Sequence, residues 1–300
     1  MIDDMPGEFD FIDWLSAQHK PSEFVPVSQG DDLAVLKWRG EDLLLVGVDQ
    51  VLDGVHFHSK IHPPRAIGRK VMNRNLSDCA AMACLPAAAV TTAALPRGIG
   101  LDYAKELYLG LREAADPFDC AIVGGDTASW DGKLVLTVTI LGRSAGIAPI
   151  TRGGARAGDG VYVTGPLGGS ILGRHMTFEP RIALARELAT TGRLTAMIDL
   201  SDGLSRDIGH ICRQSGVGVV IDADRVPIHA DAVTVSRDGI SPLDHALGDG
   251  EDHELLLTGQ MDDLGLPLTR IGEVTEKRDI LLLKDSLACP LPVSGWEHRL

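Results

Sequence analysis

Aromatic residues make up only 4% of this 300-residue chain, so its core must be built from Ala, Val, Leu and Ile. Basic residues are few as well: 28 Lys and Arg stand against 42 Asp and Glu, a formal net charge of −14. No cluster of Lys and Arg offers the basic patch of a nucleic-acid binder. The five cysteines, at 79, 84, 120, 212 and 289, form no CxxC pair; they read as reduced, mostly buried thiols of a cytoplasmic protein. The first residues, Met1-Ile2-Asp3-Asp4-Met5, are acidic and carry no apolar run of a signal peptide. The most apolar stretch, residues 79–95, is broken by Pro86 and carries Thr91 and Thr92, which argues against a membrane span. Also missing are a GxxxxGK[ST] phosphate loop, the kinase HRD and DFG set, and HExxH; His253-Glu254 is followed by three leucines.

What remains is a chain of ordinary globular make-up, 44% hydrophobic and 23% charged. At about 150 residues per domain its length predicts two domains. A Gly-rich linker at residues 151–159 marks the best boundary, dividing the chain into residues 1–147 and 148–300. Apolar periodicity predicts a short helix over residues 9–16 and strands over 33–38 and 43–48. Pro63-Pro64 opens a helix that runs past Asn75. A strand over 88–95 and a helix over 101–115 follow. A buried strand over 120–123 is expected to end at Gly124-Gly125-Asp126, before a strand over 134–142. Strands near 161–164, 197–198, 217–221 and 254–258 alternate with helices over 181–190 and 204–214. The mixture in both halves predicts two α+β domains.

The acidic residues sit in distinctive places. Asp31 and Asp32 (GDD), Asp49 (GVDQ), Asp78 (NLSD), Asp126 (GGDT), and Asp199 and Asp202 (DLSDG) read as turn residues, several directly after an apolar strand. Any one of them alone is ordinarily a turn former or a helix N-cap. If they converge, they cannot all stay ionised without cations. Mg²⁺, a hard ion that binds oxygen and often phosphate, suits such a set, and several such ions suit a polyphosphate such as ATP. The glycines of Gly165-Pro166-Leu167-Gly168-Gly169 read as a plain turn or a phosphate cradle.

Six segments in order carry a resemblance: GDD at 30–32, NLSD-x-AAM at 75–82, GGDT at 124–127, TRGGARAGD at 151–159, IDLSDGL at 198–204 and GEDHELL at 250–256. Together they resemble the thiamine-monophosphate kinase family, of the superfamily that includes aminoimidazole ribonucleotide synthetase and selenophosphate synthetase. The likeness runs from Gly7-Glu8-Phe9 to Gly295-Trp296-Glu297-His298. It implies an α+β, two-domain aminoimidazole ribonucleotide synthetase-like fold, with N-terminal strands forming a barrel across a homodimer and a C-terminal α+β domain closing over the nucleotide. It implies Mg²⁺-dependent transfer of the γ-phosphoryl of ATP to thiamine monophosphate by direct in-line displacement, with no covalent nucleophile. No nucleic-acid or membrane partner is implied.

Carried over by position, the resemblance implies that Asp32, Asp49, Asp78, Asp126, Asp199 and Asp202 hold Mg²⁺. It implies that Tyr108, Gly125, Asp126, Arg152 and Ser201 bind ATP, and that His56, Glu251 and Trp296 bind the acceptor. Read by residue type alone, Tyr108 suits a helix packed on the core, Arg152 a solvated linker, Ser201 an N-cap, His56 the surface and Trp296 an apolar anchor. The sequence departs from the family's pattern at Gly47-Val48, where Ser or Thr is usual, and at Asp249 and His253 in the 250–256 segment. A non-catalytic or altered-substrate homologue that binds nucleotide and metal is the alternative.

Overall fold

The structure, a computed structural model, describes residues 22–296 apart from Gln29, together with Ile12, Trp14, Leu15 and Ala17. The helix expected over residues 9–16 therefore lies largely outside the described residues. Two sheets organise the chain. The first is built from β1 (Ala34–Lys37), β2 (Leu43–Leu52), β3 (Leu85–Pro96), β4 (Ala121–Trp130) and β5 (Val135–Arg143) in the order β1-β2-β5-β3-β4. All of its pairings are antiparallel except β3 with β4. The second contains β6 (Gly160–Val163), β7 (Leu194–Asp199), β8 (Gly218–Asp222), β9 (Leu255–Gly259), β10 (Thr269–Thr275), β11 (Ile280–Lys284) and β12 (Leu287–Pro290), ordered β12-β11-β8-β10-β6-β9-β7. Neither sheet closes into a barrel among the described residues.

Two helices cover one face of the first sheet. Pro64 starts α1 (Pro64–Ala81) at its first turn, where the missing N–H is no loss. Its partner α2 (Leu101–Ala115) crosses it at backbone contact. A Cβ on Gly68 would stand 2.0 Å from the Leu107 carbonyl oxygen, and one on Gly110 2.0 Å from that of Arg65. Any larger side chain there would force the helices apart, at about 1–3 kcal/mol or more. The strands show which face they cover. Leu136, Val138 and Ile140 of β5 are buried, while Thr137, Thr139 and Leu141 between them are only partly so, the period-two pattern of a sheet packed on one side.

One large apolar cluster joins the halves. Val71, Met72 and Leu76 of α1 share it with Ile182, Ala185 and Leu188 of α3 (Ile182–Thr190) and with Met197, Leu255 and Leu257 of the second sheet. A second cluster lies within the C-terminal half, where Leu204, Ile208 and Ile211 of α4 (Leu204–Ser215) pack on β6–β10. The chain also forms α5 (Ala230–Val235) and α6 (Pro242–Gly248). Among the described residues, no helix is long and apolar enough to cross a membrane.

Three local expectations are corrected. The strand at 120–123 does not end at the glycines; it runs through Gly124-Gly125-Asp126 to Trp130 and is exposed along nearly its whole length. The reason is its place: β4 is an edge strand, and its parallel pairing with β3 carries it past the glycine pair. Asp49 and Asp126 stand inside strands rather than turns, and Asp78 lies in the last turn of α1.

Candidate active site

The end of α1, the turn before β1, the middle of β2 and the end of β7 meet where the two halves join. Gly47 permits this approach: a Cβ there would stand 2.3 Å from Leu33 Cδ2 and 3.3 Å from the Asp32 carbonyl. The absent side chain lets the Asp31-Asp32 turn lie against β2. The result is a cavity of about 160 Å³ lined by Asp31, Asp32, Asp49, Asp78, Asp199 and two arginines, with Val48, Ser201 and His253. Carboxylate oxygens of Asp32, Asp78 and Asp199 all lie within 4.8 Å of one another.

Four of the five carboxylates, all but Asp78, are held by specific partners among the described residues. Arg152 forks onto Asp32, with Nη2 at 2.8 Å from Oδ1 and Nε at 3.2 Å from Oδ2, and its backbone N–H donates to Asp31 at 2.6 Å. The Ser77 hydroxyl donates to Asp199 at 2.6 Å, and His253 Nδ1 stands 3.3 Å from the same oxygen. His253 itself lies flat on Phe178, ring centroids 3.9 Å apart. Arg74 donates to Asp49 at 3.2 Å.

The electrostatics show too little positive charge for so many acids. Burial pushes Asp32 up to about 6 even against Arg152, with Asp199 and Asp31 adding to the rise. Burial, then Asp49, Asp199 and Asp32, push Asp78 well above the usual carboxylate range. Asp199 is also buried, but His253, Ser77 and Arg152 outweigh that and hold it low. A divalent cation would reverse the repulsion, and a set made only of carboxylate oxygens matches the hard ligands that Mg²⁺ prefers. On donor chemistry the site fits that ion.

This acidic cavity opens, through Val48, Asp49, Arg74 and Ser201, into a larger one of about 890 Å³. His56, Leu52, Val55, Ile171, Asp202, Glu251 and Trp296 are among its lining residues. Glu251 sits in a loop held against the DLSDG turn. Its N–H donates to the Ser201 carbonyl at 2.7 Å, and that of His253 to Leu200 at 2.8 Å. Both residues have left-handed backbones, φ 52° and 49°, each costing on the order of 1 kcal/mol. Gly250 takes φ 73°, and a Cβ there would meet the Ser201 carbonyl at 2.7 Å. The strain aims the Glu251 carboxylate at Lys70 Nζ, 2.7 Å away, and Arg74 Nη1, 3.0 Å away. Although burial opposes it, these two cations hold Glu251 down at about 2. Burial pulls Lys70 down to about 8.

A third cavity, about 110 Å³, lies between the helices and the sheet, lined by Val138, Thr91, Thr127 and Tyr108 among others. The sheet register ties it to the first. Asp49 pairs with Val138, Val138 with Thr91, and Thr91 with Gly125. Gly125 is required by its contact: a Cβ would stand 1.9 Å from the Thr91 carbonyl oxygen.

Of the residues singled out from sequence, the structure thus gathers Asp32, Asp49, Asp78, Asp199, Arg152 and Ser201 around one cavity, and His56, Glu251, Asp202 and Trp296 around its neighbour. Asp202 shares a separate group with Asp207 and His210 at the start of α4, where Asp207 caps the helix by accepting from the Asp202 and Gly203 N–H groups. Tyr108 belongs to the third cavity. Asp126 lines none of the three. Its row runs through Thr92 and Thr137 to Gln50, which places it about 14 Å across the sheet from β2. Trp296, half exposed and lining the large cavity, is not a buried anchor. Sequence reading missed Lys70 and Arg74. A signal was there: 70, 74 and 78 are spaced four apart and share one face of α1.

Residues 30–144 match the family model described as AIR synthase related protein, N-terminal domain, and residues 156–284 match AIR synthase related protein, C-terminal domain. The chain is 40% identical over 283 residues to thiamine-monophosphate kinase of Rhodopirellula baltica, covering 89% of each sequence. It is 30% identical over 325 residues to thiamine-monophosphate kinase of Bacillus subtilis, covering 97% of this chain and 99% of that one. A solved structure described as AaThiL complexed with AMPPCP and TMP has a TM-score of 0.86 at 28% identity, covering 97% of each chain.

Proposed function

The chain belongs to the thiamine-monophosphate kinase family, and from that premise we propose that it transfers the γ-phosphoryl group of ATP to the phosphate of thiamine monophosphate, in line and with Mg²⁺. The observation that carries this reading is the junction of the two cavities: a close-set carboxylate cluster opens directly into a space large enough for an organic acceptor. Asp32, Asp49, Asp78 and Asp199 would hold Mg²⁺, which supplies charge neutralisation for the phosphates. Asp126 and Asp202 stand outside this cluster, and their part in metal binding rests on the resemblance alone.

The chain's own residues do the positioning. The third cavity, beside Tyr108 and Thr127, supports an adenine site, with the triphosphate running along the row from Gly125 to Asp49. Arg152 and Ser201 stand where phosphate oxygens would lie. Trp296 offers its ring face to the cationic thiazolium, and Glu251 accepts from the exocyclic amine of the pyrimidine. Direct transfer is supported by what stands around the buried Ser77 hydroxyl: it donates to Asp199, a carboxylate given over to Mg²⁺ in this reading and so not free to act as its base.

We propose further that the chain works as a homodimer through the uncovered face of the first sheet. Val123 and Trp130 of β4 are 64% and 45% exposed, and such an apolar surface is ordinarily an interface. The test of function is ADP release measured with and without thiamine monophosphate and Mg²⁺. The reading expects release only with both; release independent of the acceptor, or none at all, would overturn it in favour of a non-catalytic or altered-substrate role.

A further inference from the structure

Arg74 is the one cationic side chain, among the described residues, that lines both the acidic cavity and the large cavity. It projects from α1 one turn before Asp78. Its Nε donates to Asp49 at 3.2 Å and its Nη1 to Glu251 at 3.0 Å. Its Nη2 has no hydrogen-bond partner among the described residues, and the side chain is 15% exposed. The guanidinium is therefore clamped from both sides, with an unused donor at the opening where the cavities meet.

That arrangement exceeds what a structural counter-ion requires. Glu251 already has Lys70, wholly buried behind it, at 2.7 Å. With Lys70 on Glu251, Arg74 is not needed as that carboxylate's sole counter-ion, and its Nη2 is left for a ligand at the junction. The other residues shared by the two cavities, Val48, Asp49 and Ser201, bring no positive charge. An anion crossing that junction meets no other protein cation there. A guanidinium is also the group best shaped for phosphate, offering paired donors from a rigid plane.

We infer that Arg74 binds the phosphate of the acceptor and holds it facing the γ-phosphate of the nucleotide. The inference rests on the function proposed above and names a residue for it. In the step served, an unprotonated oxygen of the acceptor phosphate forms a bond to the γ-phosphorus. The bond from that phosphorus to the β,γ-bridging oxygen breaks, and ADP leaves with the electron pair. A phosphate monoester, whose second pKa is about 6, is largely dianionic at neutral pH, so no protein base is needed. Arg74 contributes charge and orientation. The clamp formed by Asp49 and Glu251 fixes the fork before the acceptor arrives, which is where a positioned charge gains its advantage.

The test compares two ligands that differ only in the phosphate. Binding of thiamine monophosphate and of thiamine is measured by calorimetry on the full chain, with Mg²⁺ and a non-hydrolysable ATP analogue present. Arg74→Gln should weaken thiamine monophosphate roughly 10- to 100-fold, the range for a charged hydrogen-bond partner, and leave thiamine within about two-fold. Arg74→Lys, which keeps the charge but loses the fork, should fall between wild type and Arg74→Gln, and it serves as the readout if the glutamine variant does not fold. Equal weakening of both ligands would show that Arg74 acts only through Glu251 and would overturn the proposal. So would unchanged binding of both. A wild-type chain that binds neither ligand would sink the proposed function itself, and this inference with it.

Discussion

At the acidic end of the cleft, Asp32 is pushed up to about 6 and Asp78 well above the usual range. At the other end, Glu251 is held at about 2. Both ends bury carboxylates, and burial alone raises all three. What differs is the supply of cations. Asp31, Asp32, Asp49, Asp78 and Asp199 share Arg152 and Arg74, whereas Glu251 has Lys70 and a share of Arg74 to itself. One end is short of positive charge and suited to imported metal. The other is neutralised from within and ready to accept a hydrogen bond.

The largest break in that comparison is Asp78→Asn. It removes a carboxylate from the crowded end, so turnover should fall by roughly a thousand-fold as the phosphates lose a charge clamp. The same change relieves repulsion, so the melting temperature without metal should hold or rise. ADP release and a thermal melt read the two effects separately.

Stability against pH sharpens the contrast, because the two ends carry opposite signs. Glu251 lies at about 2 in the fold against 4.5 for the free side chain. Its contribution is present above the higher value and is lost as pH falls through the lower. Asp32 lies at about 6 against 3.8. There the folded chain keeps a proton that the unfolded chain has released, so stability declines as pH rises from about 4 through 6. Melts across this range should show Mg²⁺ abolishing the second decline and leaving the first. A Mg²⁺ effect on both would mean that the ends are not independent.

Trp296→Ala should raise the KM for the acceptor about ten-fold, since a desolvated cation–π contact is worth about 1–2 kcal/mol. Little change is expected for ATP, and an equal change in both would make Trp296 a fold element. The smallest effect belongs to Val48→Thr. Val48 is 62% exposed and lines both cavities, so it is not core packing. Restoring a hydroxyl there should lower the Mg²⁺ concentration for half-maximal rate about two-fold, with stability within about 0.5 kcal/mol. An unchanged Mg²⁺ requirement would remove Val48 from the metal's surroundings.

Some of this was legible in the sequence, for a physical reason. Glycines beside aspartates, as in GDD and DLSDG, mark places where the backbone takes a positive φ, 112° at Gly30 and 113° at Gly203, and at those places the chain turns into the cleft. The helix over 101–115 could be read because its apolar spacing is unbroken. Lys70 and Arg74 were harder, since a charge inside a helix ordinarily faces water; only the tertiary fold shows α1 buried around them. The course of β4 was hidden for the opposite reason. Its glycines suggest a stop, but the pairing with β3 continues past them. Asp126 is likewise set by sheet register, which no local spacing reveals.

The central claim is that the carboxylate cluster is incomplete without imported cations and becomes a phosphate site with them. Calorimetric titration with a non-hydrolysable ATP analogue tests it directly, in Mg²⁺ and then in a chelator, on wild type and on Asp78→Asn. The account expects tight binding by wild type in Mg²⁺, loss of at least roughly 100-fold in the chelator, and a much smaller Mg²⁺ effect in the variant. Equal affinity of wild type with and without Mg²⁺ would contradict it.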